Sequence, residues 1–376
     1  MPEQPQPTNP AFASLGLRKD IVAALRVNNR INPIDVQQAV IPLALQKKNI
    51  VFTARTGSGK TLAFLLGYLG SINPKLGLQM LIIVPTRELC IQVGKECATI
   101  ADPLGIRVGT LYGGRPIGGD YRTTKKKIQI LVGTPGRLVQ HINEKHIKPG
   151  EVKYLVFDES DQMFDDGFAE ECAYIAERCN KYVQMVLASA TITEKVKDFI
   201  KTVIPTHELL QVGELIPENI TQEKLYCSKE DKPDIVLRFL TKQKIRRALV
   251  FCNTKVKCTE LASFLAANNI YTYQLSSSLD QKGRINTLNL FKDGKIRVLV
   301  ATDMAARGLH MLNVDCIINY DLPTRQEFYI HRIGRTGRDN KPGRSLSLVC
   351  PEDVERMRQL EEIYKLNIQL MPWDDN

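Results

Sequence analysis

The sequence predicts an α/β protein with two parallel-sheet domains joined by a flexible linker. The chain has 376 residues, which is more than a domain with one hydrophobic core usually contains and is typical of two domains. Two successive sets of strand-like apolar runs alternate with helical patterns, as expected for parallel sheets covered by helices. Only the first set contains a glycine-rich loop of the kind that binds phosphate.

Four segments are predicted along the chain. Residues 1–10 are rich in Pro and Gln and are expected to be disordered. The first domain is predicted at 11–210, with strand-like runs at 49–52, 80–84, 128–132, 154–157 and 185–187. A linker at 211–221 contains Gly213 and Pro217 and lacks strong periodicity. The second domain is predicted at 222–376, with runs at 248–251, 296–300, 316–318 and 345–349.

The first predicted strand leads into a candidate phosphate-binding loop. Apolar runs flank this loop, which gives the strand–turn–helix context that such a loop needs. Glycines let backbone N–H groups surround an anion at the helix start. The predicted nucleotide-binding residues are Ala54, Arg55, Thr56, Gly57, Ser58, Gly59, Lys60 and Thr61.

Two residues of this loop are predicted to act on a bound triphosphate. Lys60 would reach the β- and γ-phosphates, and Thr61 would ligate a magnesium ion. The alternative is a solvated turn that caps a helix. Ala54 stands where the general pattern has its first glycine, which weakens the match of the loop taken alone.

A run of carboxylates follows the strand-like segment 154–157. Side chains at the carboxyl end of a buried parallel strand face the crevice where ligands bind. Asp158 is therefore predicted to hold magnesium, and Glu159 to orient and deprotonate the attacking water. The alternative is an acidic surface turn, because Asp165 and Asp166 follow closely.

Composition favours an intracellular protein with a polyanionic partner. The formal charge is +10, which suggests nucleic acid, although a soluble basic surface would have the same balance. The nine cysteines are scattered without a Cys-x-x-Cys pair, as expected for reduced thiols in the cytoplasm or nucleus. Neither a secretory signal nor an apolar run of membrane-spanning length is visible, so no membrane association is expected.

Nine short motifs follow one another along nearly the whole chain. They are RTGSGKT at 55–61, PTREL at 85–89, GG at 113–114, TPGR at 134–137, DESD at 158–161, SAT at 189–191, VFCNT at 250–254, ATDMAARG at 301–308 and HRIGRTGR at 331–338. In this order and spacing they resemble the DEAD-box RNA helicases. That family's phosphate loop itself begins with Ala, which accounts for Ala54.

The resemblance implies a fold, cofactors and partners. It implies two RecA-like domains that bind ATP and Mg²⁺ and contact the RNA backbone without reading its sequence. It also implies a monomer that is directed by regulatory protein partners. The compact core is similar to the translation initiation factor 4A group, but the sequence leaves the RNA process open.

The resemblance also assigns residues around the nucleotide. Gln37 would select adenine through its amide, and Phe12 would be the upstream aromatic; the alternative is a helix-surface Gln and a core Phe. Arg335 and Arg338 would be arginine fingers that stabilise charge on the transferred phosphoryl group, rather than a basic loop that contacts RNA phosphates.

Two further sets are implied by resemblance. Ser189 and Thr191 would couple hydrolysis to strand separation through Asp161 or His331, or would cap the helix near Thr193. The implied RNA-binding residues, whose types suit backbone contacts, are Arg87, Gly113, Gly114, Thr134, Gly136 and Arg137 in the first domain and Asn253, Arg284 and Thr302 in the second. The run Lys125–Lys127 is more typical of a solvated basic turn than of a specific RNA-binding site.

Three positions depart from the family pattern. Ser160 replaces the usual Ala of the acidic motif, and catalysis is expected to survive because the carboxylates remain. Arg30 stands where an aromatic usually stacks on adenine, and a guanidinium plane can stack instead. His310 stands where an Asp usually contacts the ribose, and an imidazole can still hydrogen-bond a hydroxyl.

The sequence therefore predicts an ATP-dependent RNA helicase in which RNA-stimulated hydrolysis drives local unwinding or remodelling through closure of a cleft. The alternative is an ATP-gated RNA clamp or scaffold with little unwinding, which would use the same motifs. A processive DNA helicase fits poorly, because that role usually needs additional domains.

Overall fold

The structure is a computed structural model that describes residues 11–372, apart from residues 56, 115, 121–126, 214–215, 217, 244, 276–280, 307–312 and 338–340. The predictions for Thr56, Lys125, Lys126, His310 and Arg338 lie outside the described residues. The chain divides into two compact units, one up to residue 214 and one from residue 215.

Each unit is built on one seven-stranded sheet, and every strand pairing in the two sheets is parallel. The predicted α/β class with two parallel sheets is confirmed. Within the described residues, no helix has the length and apolar character needed to cross a membrane.

The first sheet has the strand order β3-β4-β2-β5-β6-β1-β7. Its strands are β1 (Ile50–Thr53), β2 (Met80–Ile83), β3 (Val108–Leu111), β4 (Ile130–Gly133), β5 (Tyr154–Asp158), β6 (Gln184–Ser189) and β7 (Glu208–Gln211). The sequence missed β3 and β7, which form the two edges of the sheet and are only partly buried. A half-exposed edge strand lacks the continuous apolar run that marks the buried central strands.

Helices cover both faces of this sheet. They are α1 (Lys19–Val27), α2 (Asp35–Leu45), α3 (Lys60–Leu69), α4 (Arg87–Ala101), α5 (Pro135–Asn143), α6 (Ser160–Asp165), α7 (Ala169–Glu177) and α8 (Glu194–Val203). Alternate residues of one strand enter opposite cores, because successive side chains point to opposite faces. Ile50 and Phe52 lie in one apolar cluster, and Val51 lies in the other.

The second sheet has the strand order β10-β11-β9-β12-β13-β8-β14. Its strands are β8 (Ile220–Tyr226), β9 (Ala248–Phe251), β10 (Thr272–Leu275), β11 (Val298–Ala301), β12 (Cys316–Asn319), β13 (Gly343–Val349) and β14 (Gln369–Leu370). Its helices are α9 (Lys232–Lys242), α10 (Lys255–Ala267), α11 (Gln281–Lys292), α12 (Asp303–Ala306), α13 (Gln326–Ile333) and α14 (Val354–Tyr364). Gln211, Ile220 and Thr221, which the sequence assigned to the linker, belong to β7 and β8.

Parallel pairing decides where a site can form. All strands of a parallel sheet end on the same edge, so the loops that follow them gather there. In the first unit, this carboxyl edge collects the loop after β1, the acidic run at the end of β5 and the segment after β6.

Helices α2 and α3 pack closely because a glycine faces an alanine. A Cβ built at Gly67 would lie 2.3 Å from the Cβ of Ala44. Real carbon atoms do not approach this closely, so the two helices would have to separate. Since α3 begins with Lys60, this contact fixes the helix that presents the phosphate loop.

We predict that Gly67→Ala lowers the free energy of unfolding by about 1–3 kcal/mol, the usual cost of overpacking a core. The gain in helix propensity, at most about 1 kcal/mol, does not offset this cost. Urea unfolding followed by circular dichroism measures the change. Gly70→Ala is the matched control, because its Cβ would meet the Arg18 side chain at 3.4 Å and Ile21 Cδ1 at 3.7 Å, which are ordinary contact distances. Equal midpoints for both variants would contradict the packing argument.

Candidate active site

The loop between β1 and α3 has the backbone that a phosphate-binding loop needs. Gly57 and Gly59 adopt φ values of 81° and 75°, in the left-handed region that side chains rarely enter. A Cβ at Gly59 would also lie 2.7 Å from Ile34 Cδ1 and 2.8 Å from Gln37 Nε2. The backbone conformation therefore requires glycine at this position, and a larger residue would also displace the ends of the Ile34 and Gln37 side chains.

Lys60 is the first residue of α3, and its side chain is buried. Its Nζ donates a hydrogen bond to the carbonyl oxygen of Ala54 at 3.0 Å, so the ammonium group is held inside the loop. A buried cation at a helix N-terminus provides two attractions for an anion, the ammonium charge and the unpaired N–H groups of the first turn.

Asp158 ends β5 and is buried beside this lysine. Burial raises the pKa of Asp158 to about 7; the charge of Lys60 opposes the rise, and the charges of Glu159 and Glu96 add to it. The Asp158 carboxyl therefore takes up a proton at a higher pH than an ordinary aspartate does. A cation bound next to it would favour the ionised form.

Glu159 has an unusual backbone conformation directly after the strand. Its φ is 53°, and a residue with a side chain seldom adopts this left-handed conformation outside functional or tightly constrained positions. Its N–H donates to Oδ1 of Asp158 at 3.0 Å. The turn places Glu159, itself buried, between Asp158 and the start of α6.

Glu96, on α4, is a further acidic residue near the loop that the sequence analysis missed. Burial raises its pKa, whereas a hydrogen bond with the Thr61 side chain and the charge of Arg30 oppose the rise. It belongs to no motif, so only the folded contact identifies it. Arg30 is exposed, and its charge acts on Glu96.

Gln37 contacts the phosphate loop directly. Its Nε2 donates to the carbonyl oxygen of Gly59 at 3.4 Å, and its Oε1 accepts from the N–H of Ile34 at 3.1 Å. Phe12 is 1% exposed and packs in the core of the first unit. In this structure the position of Phe12 matches the core alternative, and Gln37 is buried rather than on a helix surface.

Asp161, Ser189 and Thr191 form one buried hydrogen-bond network. Oδ2 of Asp161 accepts from the N–H of Thr191 at 2.8 Å and from its Oγ1 at 2.9 Å. Oγ of Ser189 accepts from the N–H of Asp161 at 3.2 Å and donates to the carbonyl of Thr191 at 2.7 Å. Thr193 caps α8 instead, so the capping alternative for Ser189 and Thr191 is wrong.

The predicted RNA-binding residues of the first unit follow β2, β3 and β4 on the same carboxyl edge. Arg87 begins α4, and its guanidinium lies 5.7 Å from the centre of the Tyr112 ring. A Cβ at Gly114 would lie 1.6 Å from Nη2 of Arg87, so glycine leaves room for the guanidinium. Gly113 precedes it, and Thr134 and the exposed Gly136 lie at the start of α5.

Arg137 is held by an aspartate that the sequence analysis did not single out. Its Nε donates to Oδ2 of Asp120 at 2.6 Å, and its Nη1 donates to Gln140 at 3.1 Å. Arg137 and Asp120 are both buried. Asp120 belongs to none of the sequence motifs, so the pairing could not be predicted from motif spacing.

The predicted RNA-binding residues of the second unit also lie after strands of its sheet. Asn253 follows β9, Thr302 follows β11, and Arg284 lies in α11. Nδ2 of Asn253 donates to the carbonyl of Leu322 at 2.9 Å, and its N–H donates to Asp321 at 3.0 Å. These bonds fix the Asn253 side chain at the carboxyl end of its strand.

Asp321 is kept ionised by its surroundings. Burial alone would raise its pKa, but the Asn253 N–H and the charges of Lys257 and Lys232 together lower it. Lys257 Nζ lies 2.9 Å from Oδ1 of Asp321, and Lys232 Nζ lies 3.4 Å from it. A fixed negative charge thus anchors the loop that carries Asn253.

Arg332 organises the end of α13, a role that the sequence analysis did not predict. It is 1% exposed and forms a two-bond ion pair with Asp303 at 2.6 and 2.7 Å. It also donates to Asn319 at 3.1 Å and to the carbonyl of Asp321 at 2.7 Å. The same helix carries His331, and the buried Arg335 follows it.

Comparison with known proteins decides the family. Residues 34–199 match the DEAD/DEAH box helicase model, and residues 231–340 match the helicase conserved C-terminal domain model. A probable ATP-dependent RNA helicase of Methanocaldococcus jannaschii is 36% identical, over 95% of this chain and 97% of that protein. ATP-dependent RNA helicase RhlB of Shewanella sediminis is also 36% identical, over 98% of this chain and 87% of the relative.

The chain belongs to the DEAD-box helicase family. Among solved structures, S. cerevisiae Dbp5 bound to RNA and ADP BeF3 has a TM-score of 0.86 and 26% identity, covering 97% of this chain and 96% of that one. Another structure of Dbp5, with a TM-score of 0.81 and 26% identity over 97% and 95% of the two chains, contains Gle1.

One departure of this DEAD-box chain has a structural explanation. Ser160 is fully buried, and its Oγ donates to the carbonyl oxygen of Ala188 on β6 at 3.2 Å. The additional hydroxyl therefore binds the neighbouring strand. This bond goes to a backbone oxygen and leaves the carboxylates of Asp158, Glu159 and Asp161 in place.

We predict that Ser160→Ala lowers the free energy of unfolding by about 1 kcal/mol, the worth of one neutral hydrogen bond, and leaves the rate of ATP hydrolysis unchanged. Urea unfolding and a steady-state phosphate-release assay measure the two effects. Asp161→Asn is the comparison, because it alters a carboxylate with several donors and is expected to lower both quantities. A large fall in hydrolysis in Ser160→Ala would show that the hydroxyl acts on the chemistry.

Proposed function

We propose that this chain is an ATP-dependent RNA helicase in which RNA stimulates ATP hydrolysis and hydrolysis drives local duplex unwinding or remodelling of RNA–protein complexes. The observation that carries the proposal is the carboxyl edge of the first sheet. Lys60, Asp158 and Glu159 are buried on it after β1 and β5, and Arg87 and Thr134 follow β2 and β4 on the same edge.

The residues at the phosphate loop fit a magnesium–triphosphate. Mg²⁺ prefers oxygen ligands, and we assign Thr61 and Asp158 to hold it, directly or through water. The raised pKa of Asp158 supports this assignment, because burial is its main cause and the charges of Glu159 and Glu96 add to it. A divalent cation would stabilise the ionised carboxylate against both effects. The ion supplies charge neutralisation on the phosphate oxygens.

Different protein groups have different roles in hydrolysis. Lys60 binds the β- and γ-phosphates, and the N–H groups of the loop from Ala54 to Gly59 hold their oxygens. Glu159 orients the attacking water and accepts its proton. Gln37 recognises the adenine edge through the amide that here contacts Gly59, and Arg30 offers a plane for stacking.

The second unit completes the chemistry. We assign Arg335 and Arg338 to stabilise the charge that develops on the transferred phosphoryl group. Because the phosphate loop belongs to the first unit, this role requires the two units to close on bound ATP and RNA. Asp161, Ser189, Thr191 and His331 are the candidates for coupling closure to the RNA.

RNA is proposed to bind through its backbone. Arginine pairs with phosphate, glycine allows close approach of N–H groups, and hydroxyl and amide side chains reach phosphate or 2′-OH oxygens. None of these contacts reads base edges, so binding is expected to be independent of sequence. Regulatory protein partners would then direct the enzyme to its RNAs, as the complex of Dbp5 with Gle1 suggests for that relative.

We predict that single-stranded RNA raises the ATP hydrolysis rate of the full chain, and that Lys60→Ala and Glu159→Gln abolish the stimulated rate. Lys60→Ala removes the phosphate-binding cation, whereas Glu159→Gln removes the base and leaves nucleotide binding intact. Phosphate release with and without RNA, together with fluorescent nucleotide binding, measures both. Glu151→Gln is the matched control, because Glu151 is exposed on the same unit. Turnover that is independent of RNA would contradict the coupling.

A second candidate function is an ATP-gated RNA clamp with little unwinding. Arg30 is exposed, interacts with Glu96 and replaces the aromatic side chain that usually stacks on adenine. This replacement favours a lower affinity for ATP and a slower cycle of ATP hydrolysis. Strand displacement of a short duplex, measured beside ATP-dependent RNA release, separates the two candidates. ATP-dependent displacement supports the helicase, whereas retention of RNA with ATP and no displacement supports the clamp.

A further inference from the structure

Three side chains at the end of α5 form a cluster that the proposed function does not use. Nδ1 of His141 lies 3.1 Å from Nδ1 of His146, which lies 3.2 Å from Oε2 of Glu144. One donor atom from each residue falls within 4.8 Å of the others. The cluster thus contains two imidazoles and one carboxylate.

The backbone brings these residues together by reversing after the helix. Helix α5 ends at Asn143, and Lys145 adopts a φ of 58° in the left-handed region. The N–H of His146 then donates to the carbonyl of His141 at 2.9 Å. The reversal returns the His146 ring to the last turn of the helix, with the two ring centres 5.3 Å apart.

A buried carboxylate fixes the orientation of His141. Nε2 of His141 lies 3.0 Å from Oδ2 of Asp120, and both side chains are fully buried. A carboxylate accepts here, so Nε2 carries the proton and Nδ1 presents its lone pair towards His146 and Glu144. An acidic group behind a histidine in this way is the usual outer shell of a metal-binding imidazole.

We propose that His141, Glu144 and His146 bind a divalent transition-metal ion, for which Zn²⁺ is the best match. Zn–N and Zn–O bonds of about 2.0–2.1 Å in a tetrahedral site place neighbouring ligand atoms roughly 3.3–3.4 Å apart. The His141–His146 and His146–Glu144 separations, 3.1 and 3.2 Å, are close to this value, and the remaining His141–Glu144 pair lies within 4.8 Å. Two imidazoles with one carboxylate favour zinc over Mg²⁺ or Ca²⁺, which prefer oxygen ligands alone.

The site has an entry path and a place for a further ligand. The side chains of His146 and Glu144 are 29% and 37% exposed, so an ion can arrive from solvent and retain a water molecule. Binding at Nδ1 of His146 requires that this nitrogen be deprotonated, with the ring proton on Nε2. The competing explanation is a hydrogen-bonded pair of histidines beside Glu144 with no affinity for metals.

Titration of the metal-free full chain with Co²⁺, followed by displacement with Zn²⁺, tests the proposal. We expect one Co²⁺ per chain, with visible absorption typical of nitrogen and oxygen ligands, and full displacement by Zn²⁺. Excess Mg²⁺ should not compete. A sulfur-to-cobalt charge-transfer band would place the ion on cysteines and overturn the proposal, as would the absence of stoichiometric binding.

Glu144→Gln and His146→Ala are the test variants, because both side chains are partly exposed and their loss should leave the fold intact. Each is expected to weaken metal affinity by more than the roughly 10- to 100-fold that outer-shell changes cost. His207→Ala is the matched control, since His207 lies in the same unit and contacts the carbonyl of Ile204. Unchanged affinity in both test variants, with urea midpoints like that of the wild type, would overturn the proposal.

Discussion

Buried charge at the carboxyl edge of the first sheet is the constraint on which the rest of the site depends. Lys60, Asp158, Glu159 and Asp161 are all buried, and burial of ionised groups is unfavourable unless partners offset it. Asp161 accepts several hydrogen bonds from the segment after β6, and these bonds stabilise its negative charge. Burial raises the pKa of Asp158, the charges of Glu159 and Glu96 add to the rise, and the charge of Lys60 only partly offsets it. A magnesium ion bound with a triphosphate would stabilise the ionised form of Asp158.

The strand order distributes the chemistry along this edge. The predicted nucleotide residues follow β5 and β1, the coupling candidates Ser189 and Thr191 lie at the end of β6 between them, and the predicted RNA residues follow β3, β4 and β2. Helix α4 links the two halves, because it begins at Arg87 and carries Glu96 next to Thr61. One helix thus contributes residues to both halves of the edge.

The sequence predicted those features whose residues are adjacent in the chain. The strands that were predicted are continuous apolar runs, and the phosphate loop needs glycines, a lysine and a threonine in succession. Strands β3, β7, β8, β10 and β14 were not predicted, because many of their side chains are partly buried or exposed and no continuous apolar run marks them. Glu96, Asp120 and Arg332 were also missed. Their partners Thr61, Arg137 and Asp303 lie 17 to 35 residues away, and only the fold brings them together.

The pH dependence of Mg²⁺–ATP affinity tests the central claim most directly. Because the pKa of Asp158 is raised to about 7, protonation below that pH removes the form that attracts the cation. Apparent affinity should therefore fall about tenfold between pH 8 and pH 6, and the loss should reverse as the pH rises. Asp158→Asn should bind weakly and lack this component, while the titration of ATP itself appears in both proteins. Parallel pH profiles for the wild type and Asp158→Asn would contradict the account.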